Sequence, residues 1–206
     1  MRLIDVHARL LDMGVPVFRT SDAAAYLGIE SAHASKLLAR LAASGHLARL
    51  GRGQWGFKNR IDIYALPEYL TAPYPSYVSL QSALHHHGMI SQIPSVLYAI
   101  SPARTRTYVT ALGTVSIHHI DPSFFFGFQL TGGGVAKIAT PEKALIDFLY
   151  LNPARSRLFR ALPELELPRG FKISEARKIL RRIRSVRRQN HVCRLFEEIL
   201  KARASS

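Results

Sequence analysis

Cysteine is nearly absent, Cys193 being the one cysteine in 206 residues. No intramolecular disulfide can form and no cysteine-built zinc cage is available, so packing alone must hold the fold, as suits a reducing cytoplasmic setting. Long apolar runs are also missing: nothing approaches the roughly 18 residues of a transmembrane helix, and no membrane partner is expected. The opening MRLIDVHARLLDMG alternates charged and apolar residues, which is not the basic end followed by an apolar stretch of an export signal. Acidic residues are scarce, 14 Asp and Glu facing 28 Lys and Arg, for a net charge of +14. What is plentiful is hydrophobic content, at 48%, which excludes a disordered chain and suffices for one large domain or two small ones.

The positive charge is not spread evenly. Residues 1–60 carry nine Lys or Arg against four acids, 61–168 carry seven against seven, and 169–206 carry twelve against three. A neutral middle between basic ends points to polyanion contact by defined regions.

Leu3, Val6, Leu10 and Leu11 recur at helical spacing and predict a first helix, ended by Gly14 and Pro16. Thr20 or Ser21 can cap a short helix from Asp22 to Leu27, stopped by Gly28. After Ser31, a second capping type, Ala34, Leu37, Leu38 and Leu41 form an apolar stripe that runs out at Gly45. The opposite face of this third helix carries His33, Lys36 and Arg40, with Ser35 beside them and no acid from Ser31 to Gly45. Such a face suits the major groove of double-stranded DNA, with His33, Ser35 and Lys36 nearest the base edges. Taken alone it is equally an ordinary amphipathic helix with a solvated side. The next segment of the chain favours DNA: Leu47 to Leu50 and Gln54 to Phe57 read as two strands around Gly51, Arg52 and Gly53, a hairpin whose tip presents arginine. Arg49, Lys58 and Arg60 add charge around it. Helix, helix-turn-helix and basic wing, in that order, predict a winged helix-turn-helix DNA-binding domain over 1–64.

Pro67, Pro73 and Pro75 mark a connector. Beyond it the pattern predicts a helix from Ser79 to Met89 and strands at Val96–Ile100, Arg106–Val109 and Val115–Ile120. A hairpin from Phe124–Leu130 to Val135–Ile138 across Gly132 to Gly134 comes next, then a helix opened by Pro141 and running through Leu151. The fold class is therefore α+β, and the second domain, 76–206, has a small, largely antiparallel sheet and a basic helical end.

YVSLQSALHHHGMI from Tyr77 to Ile90, a strand-rich stretch, and VAKIATPEKALIDFLYL from Val135 to Leu151, all behind the N-terminal domain, resemble the AbiEi family of antitoxins. Ser79, Ser82, Ala83 and Leu84 match that family's Ser-x-x-Ser-Ala-Leu pattern; Thr140, Pro141, Glu142, Lys143, Ala144, Leu145 and Asp147 match its later Thr-Pro-Glu-Lys-Ala-Leu-x-Asp helix. The resemblance spans roughly residues 15–152 and implies an autorepressor of a two-gene operon. In that family the N-terminal domain binds repeated operator sequences, and the second domain opposes a toxin with a nucleotidyltransferase-like fold without a stable complex. A regulator of unrelated genes and a nucleic-acid-processing enzyme are the alternative readings.

The tail SEARKILRRIRSVRRQN from Ser174 to Asn190 carries a helical stripe of Ala176, Ile179, Leu180, Ile183 and Val186, with Ser174 as cap, and a further helix is expected over Cys193 to Leu200. Its polar side is a solvated face, a nucleic-acid contact through Arg181, Arg182, Arg184, Arg187 and Arg188, or a surface for an acidic partner or a membrane surface, since a basic amphipathic helix suits those too. The resemblance says nothing about it.

No catalytic or metal site and no cofactor is expected. His85, His86 and His87 are successive on a helix and cannot converge on one ion, while His118 and His119 on a strand point to opposite faces. The three glycines before Lys137 lack the spacing of a phosphate loop, and Glu142 beside Lys143 lacks that of a metal-dependent nuclease.

Overall fold

A computed structural model describes residues 2–131, 134, 136–151 and 165–204. The first body contains helix α1 (Leu3–Leu11), strand β1 (Val17–Arg19), helices α2 (Thr20–Leu27) and α3 (Ser31–Ala43), and strands β2 (Ala48–Gly51) and β3 (Gln54–Gly56). Its three strands are ordered β1-β3-β2, all antiparallel. The apolar stripes read from the sequence become one core, in which Val6, Leu10, Leu27, Leu37, Leu38 and Leu41 pack on Phe18, Leu47, Trp55 and Phe57. Helix starts differ from expectation by two residues at α2, which begins at Thr20, and by one at α3, which begins at Ser31, so these residues lie inside the first turn instead of capping it. At α2 the capping bond comes from Asp22, whose carboxylate accepts the Arg19 N–H at 2.8 Å.

The second body is built on a six-stranded sheet. Its strands are β4 (Tyr77–Val78), β5 (Leu97–Ser101), β6 (Arg106–Thr110), β7 (Gly113–His119), β8 (Phe128–Thr131) and β9 (Ala136–Ala139), in the order β6-β7-β5-β4-β9-β8. The sheet is mixed: three of its five pairings are antiparallel, as expected for most of it, but β5 with β7 and β4 with β9 pair in parallel. The cause is connectivity: β5 and β7 are separated in sequence by β6, which folds back on β7, and β4 meets β9 only after a long excursion. Local pattern cannot record either pairing. The hairpin expected from Phe124 begins at Phe128, and Gly132, Gly133 and Val135 lie outside the described residues.

Helices α5 (Leu80–His86), α6 (Pro141–Leu151), α7 (Ile173–Arg181) and α8 (Val186–Ala204) cover one sheet face, where Tyr98 and Ile100 join Leu84, Leu145, Leu149, Ile179, Val192 and Phe196. The tail is thus two helices broken at 182–185, where one continuous stripe from Ser174 to Asn190 was expected. Ile183 is buried in the break, Ser185 caps α8, and Val186, expected in the stripe, is exposed.

The proline-marked connector contains a helix of its own. Pro67 enters a short helix, α4 (Leu66–Thr71), whose Leu66 and Leu70 are buried with Ala48 and Leu50 of β2 and with Ala99, Val115 and Ile117 of β5 and β7. Since Ala99 alternates with Tyr98 and Ile100 along β5, this third cluster occupies the sheet face opposite α5 to α8. Three polar links reinforce it: the Ala111 N–H donates to the Arg49 carbonyl at 3.1 Å, the Gln54 amide to the Tyr69 carbonyl at 2.9 Å, and Lys137 pairs with Glu68 at 2.6 Å.

Candidate nucleic-acid interface

Helix α3 divides along its length as its sequence does. Ala34, Leu37, Leu38 and Leu41 are buried, and His33, Ser35, Lys36 and Arg40 are all exposed on the other side. No acidic side chain lies in its first turn, and the N-cap residue Glu30 makes no side-chain capping bond to it. Among the described residues these four side chains make no ion pair or hydrogen bond, so they are free to meet a groove.

The β2–β3 hairpin is pinned where it turns. Gly53 adopts φ +67°, a left-handed conformation that an L side chain rarely takes, and its carbonyl accepts the Thr20 N–H at 2.9 Å. The Trp55 indole N–H donates to Thr20 Oγ1 at 2.9 Å. The hairpin tip is therefore fastened to the start of α2, with exposed Arg52 between the two glycines. Arg19, Thr20, Ser21, Arg52, Gly53 and Gln54 line a hollow of about 330 Å³ there. Sequence reasoning missed Arg19. Only the strand register places it: Arg19 sits opposite Gln54, beside the turn.

The remaining expected contacts divide. Arg49 is exposed and lies over the Trp55 ring at 5.8 Å, while its carbonyl is taken by the second body. Lys58 is exposed in a 3-10 turn, Lys58–Arg60, whose Arg60, also exposed, lies over the Phe57 ring at 5.6 Å and donates to the Leu11 carbonyl at 3.4 Å. Arg181, Arg182, Arg184, Arg187 and Arg188 are exposed, but on helices that cover the far face of the large sheet. The structure does not bring them together with α3.

The matched motif residues meet in a place the sequence did not indicate. Asp147 is completely buried and accepts Tyr77 Oη at 2.9 Å and Ser79 Oγ at 2.8 Å on one oxygen, and the Lys143 ammonium on the other. Lys143 is also completely buried, its Nζ lying 4.1 Å from the Phe124 ring centroid and 4.9 Å from that of Phe126. Burial pushes the Asp147 carboxyl up and pulls the Lys143 ammonium down, each opposed by the partner's charge, and burial with the nearby Asp147 holds the Tyr77 phenol well above its usual range. The backbone bends sharply here, Leu80 taking φ +54° just after Ser79. The i, i+4 spacing of Lys143 and Asp147 was legible; their burial was not.

The histidines serve neighbours. His87 Nε2 meets the Ala139 carbonyl at 2.7 Å, His118 meets Ser116 at 3.1 Å, and burial lowers the His118 pKa. Among the described residues no group of three or more His, Cys, Asp or Glu is placed to share a metal ion. Burial, followed by the Glu197 charge, raises the Cys193 thiol pKa, the opposite of an activated nucleophile. No helix among the described residues is long and apolar enough to cross a membrane.

Residues 8–57 match a family model described as transcriptional regulator, AbiEi antitoxin. No curated protein matches the chain. Among solved structures, the solution structure of the antibiotic-resistance factor ANT(2'')-Ia is similar with a TM-score of 0.32 and 9% identity over 69% of this chain and 92% of that one, below the likeness of a shared fold.

Proposed function

We propose that this chain is a DNA-binding transcriptional regulator of the AbiEi antitoxin kind, in which α1 to β3 form a winged helix-turn-helix and α3 is the reading helix. The observation that carries the reading is the face of α3, where His33, Ser35, Lys36 and Arg40 are exposed together, without an acid, over a fully buried apolar side. The family match over 8–57 covers all of this unit but the first part of α1 and supports the regulatory role. In the complex, α3 enters the major groove with His33, Ser35 and Lys36 near base edges, and Arg40 reaches the flanking phosphates. Arg52 and Arg19, with Lys58 and Arg49, hold the backbone beside it.

The sequence resemblance extends the proposal: the operator lies in the protein's own promoter, and the second body opposes a nucleotidyltransferase-like toxin encoded in the same operon. The test is a gel shift with that promoter. Lys36→Ala with Arg40→Ala is expected to weaken operator binding, the Lys36 change by about 1–3 kcal/mol and with a narrower margin over unrelated DNA, the Arg40 change on all duplexes alike. Arg52→Ala is expected to weaken all duplexes alike, since phosphate contacts read no sequence. A double variant that holds the operator as tightly as the parent removes α3 from the interface.

A further inference from the structure

The Arg-rich end differs in space from the ribbon of charge in its sequence. Helix α7 ends at Arg181 and α8 begins at Val186, so Arg181, Arg182, Arg184, Arg187 and Arg188 surround one tight turn anchored by buried Ile183. All five are exposed, and among the described residues none has a carboxylate oxygen within 4.0 Å. Asp121 acts on Arg184 only across a gap.

Two of the five are held in place by aromatic rings. The Arg182 guanidinium lies 3.4 Å from the Phe126 ring centroid and that of Arg188 lies 4.6 Å from the Tyr150 centroid. Stacking removes rotamer freedom before any ligand arrives, and a stacked guanidinium keeps N–H edges for an anion. Arg187 and Arg188 stand in the first turn of α8, which has no acidic residue, so the helix dipole repels them. Self-repulsion of this kind disfavours the free protein and is relieved by a polyanion. An acidic protein partner would need apolar anchors at the centre of its interface, and Val186 is the one large exposed hydrophobic at this turn. Serial phosphates need none.

The turn also stands apart from α3. Its helices pack on the Tyr98 and Ile100 face of the sheet, while the body carrying α3 docks through Ala48 and Leu50 on the Ala99, Val115 and Ile117 face. Each packed layer adds about 10 Å, so a duplex lying in contact with α3 is separated from the arginine turn by the thickness of the sheet and its helices. We propose that the α7–α8 turn is a second binding site for the phosphodiester backbone of nucleic acid, separate from α3 and able to hold another segment while α3 holds the first. The two-segment form rests on the α3 reading; the existence of the site does not.

The experiment uses the full chain and the variant Arg181→Gln, Arg182→Gln, Arg184→Gln, Arg187→Gln, Arg188→Gln, with helicity checked by circular dichroism. The probes are a short duplex of unrelated sequence and an RNA hairpin, each titrated across a salt series. Each neutralised phosphate contributes about 0.9 to the slope of log K against log salt on duplex and about 0.7 on single strands, so the variant is expected to lose at least about two units on the probe the turn holds. Slopes unchanged on both probes overturn the site. In a second arm, immobilised promoter duplex is saturated with protein and offered labelled duplex or labelled hairpin. Capture that vanishes in the five-arginine variant supports the two-segment form and names the source as DNA or RNA. Capture that persists in the variant, or fails with the parent protein, overturns that form. Should the five-site variant not fold, Arg187→Gln with Arg188→Gln, which leaves Arg182 on Phe126, serves both arms with a loss of about one unit. Lys36→Gln with Arg40→Gln is run alongside: unaltered operator binding by that variant sinks the α3 reading, while the arginine result is still read from its own salt slope.

Discussion

Asp147 holds together three side chains that could not otherwise be buried. Removing its carboxylate in Asp147→Ala leaves the Lys143 ammonium and the Tyr77 and Ser79 hydroxyls without their acceptor in a site that excludes water. Stranding one member of a buried ion pair costs about 3–5 kcal/mol, a large part of the roughly 5–15 kcal/mol that holds a domain together. Lys143→Met combined with Asp147→Leu strands no charge and loses only the hydroxyl bonds, at about 1–3 kcal/mol each. Urea unfolding is therefore expected to rank the double variant above Asp147→Ala in stability, even though it changes more atoms. Additive costs for the two positions would show that they do not act as a pair. Gly127 belongs to the same arrangement, because a Cβ there would meet the Lys143 side chain at 3.0 Å.

Among the elements, the hairpin beside α2 shows how a turn residue positions a functional one. Gly53 has φ +67° whereas Gly51, two residues earlier, has no positive φ and meets nothing closer than 3.7 Å. Gly53→Ala is expected to cost about 1–2 kcal/mol through backbone strain, and Gly51→Ala close to nothing, in paired thermal melts. The strained variant should also bind unrelated duplex DNA less tightly, since the bond from Thr20 to the Gly53 carbonyl sets the direction in which Arg52 points. Equal behaviour of the two alanine variants would mean that the tip is not held by this conformation. The break between α7 and α8 makes the converse point. No glycine or proline marks it, and the helical period of apolar residues continues through it, yet Ile183 turns into the core and Ser185 caps a new helix.

At the scale of the whole molecule, the apolar cluster of Ala48, Leu50, Leu66, Leu70, Ala99, Val115 and Ile117 joins the two bodies, so the hairpin serves two masters: its tip faces outward while its β2 strand is part of the second body's packing. The two bodies are expected to unfold together. Trp55, the one tryptophan, reports the first body, and far-ultraviolet circular dichroism reports both. Their denaturation midpoints should coincide, and Leu50→Ala, at about 2–5 kcal/mol for a buried leucine, should move both by the same amount. Separate midpoints would show two independent domains, and a fragment beginning at residue 61 would then act alone. With coincident midpoints, that fragment exposes the Ala99, Val115 and Ile117 face and is expected to bind a hydrophobic dye.

The sequence by itself determined what depends on neighbours a few residues apart. The stripes of α1 and α3, the glycine-flanked Arg52, and the polar side of α3 with His33, Ser35, Lys36 and Arg40 are local records of which side meets water, and periodicity reads them directly. Tertiary structure alone decided which sheet face receives which layer, that β5 with β7 and β4 with β9 run parallel, and that Pro67 opens a buried helix. It also placed the five arginines of the tail on the side of the sheet away from α3, and shut Lys143 and Asp147 from solvent. Those outcomes arise from contacts between segments tens of residues apart, where the same alternation of apolar residues is satisfied by either direction of pairing and by any apolar cover.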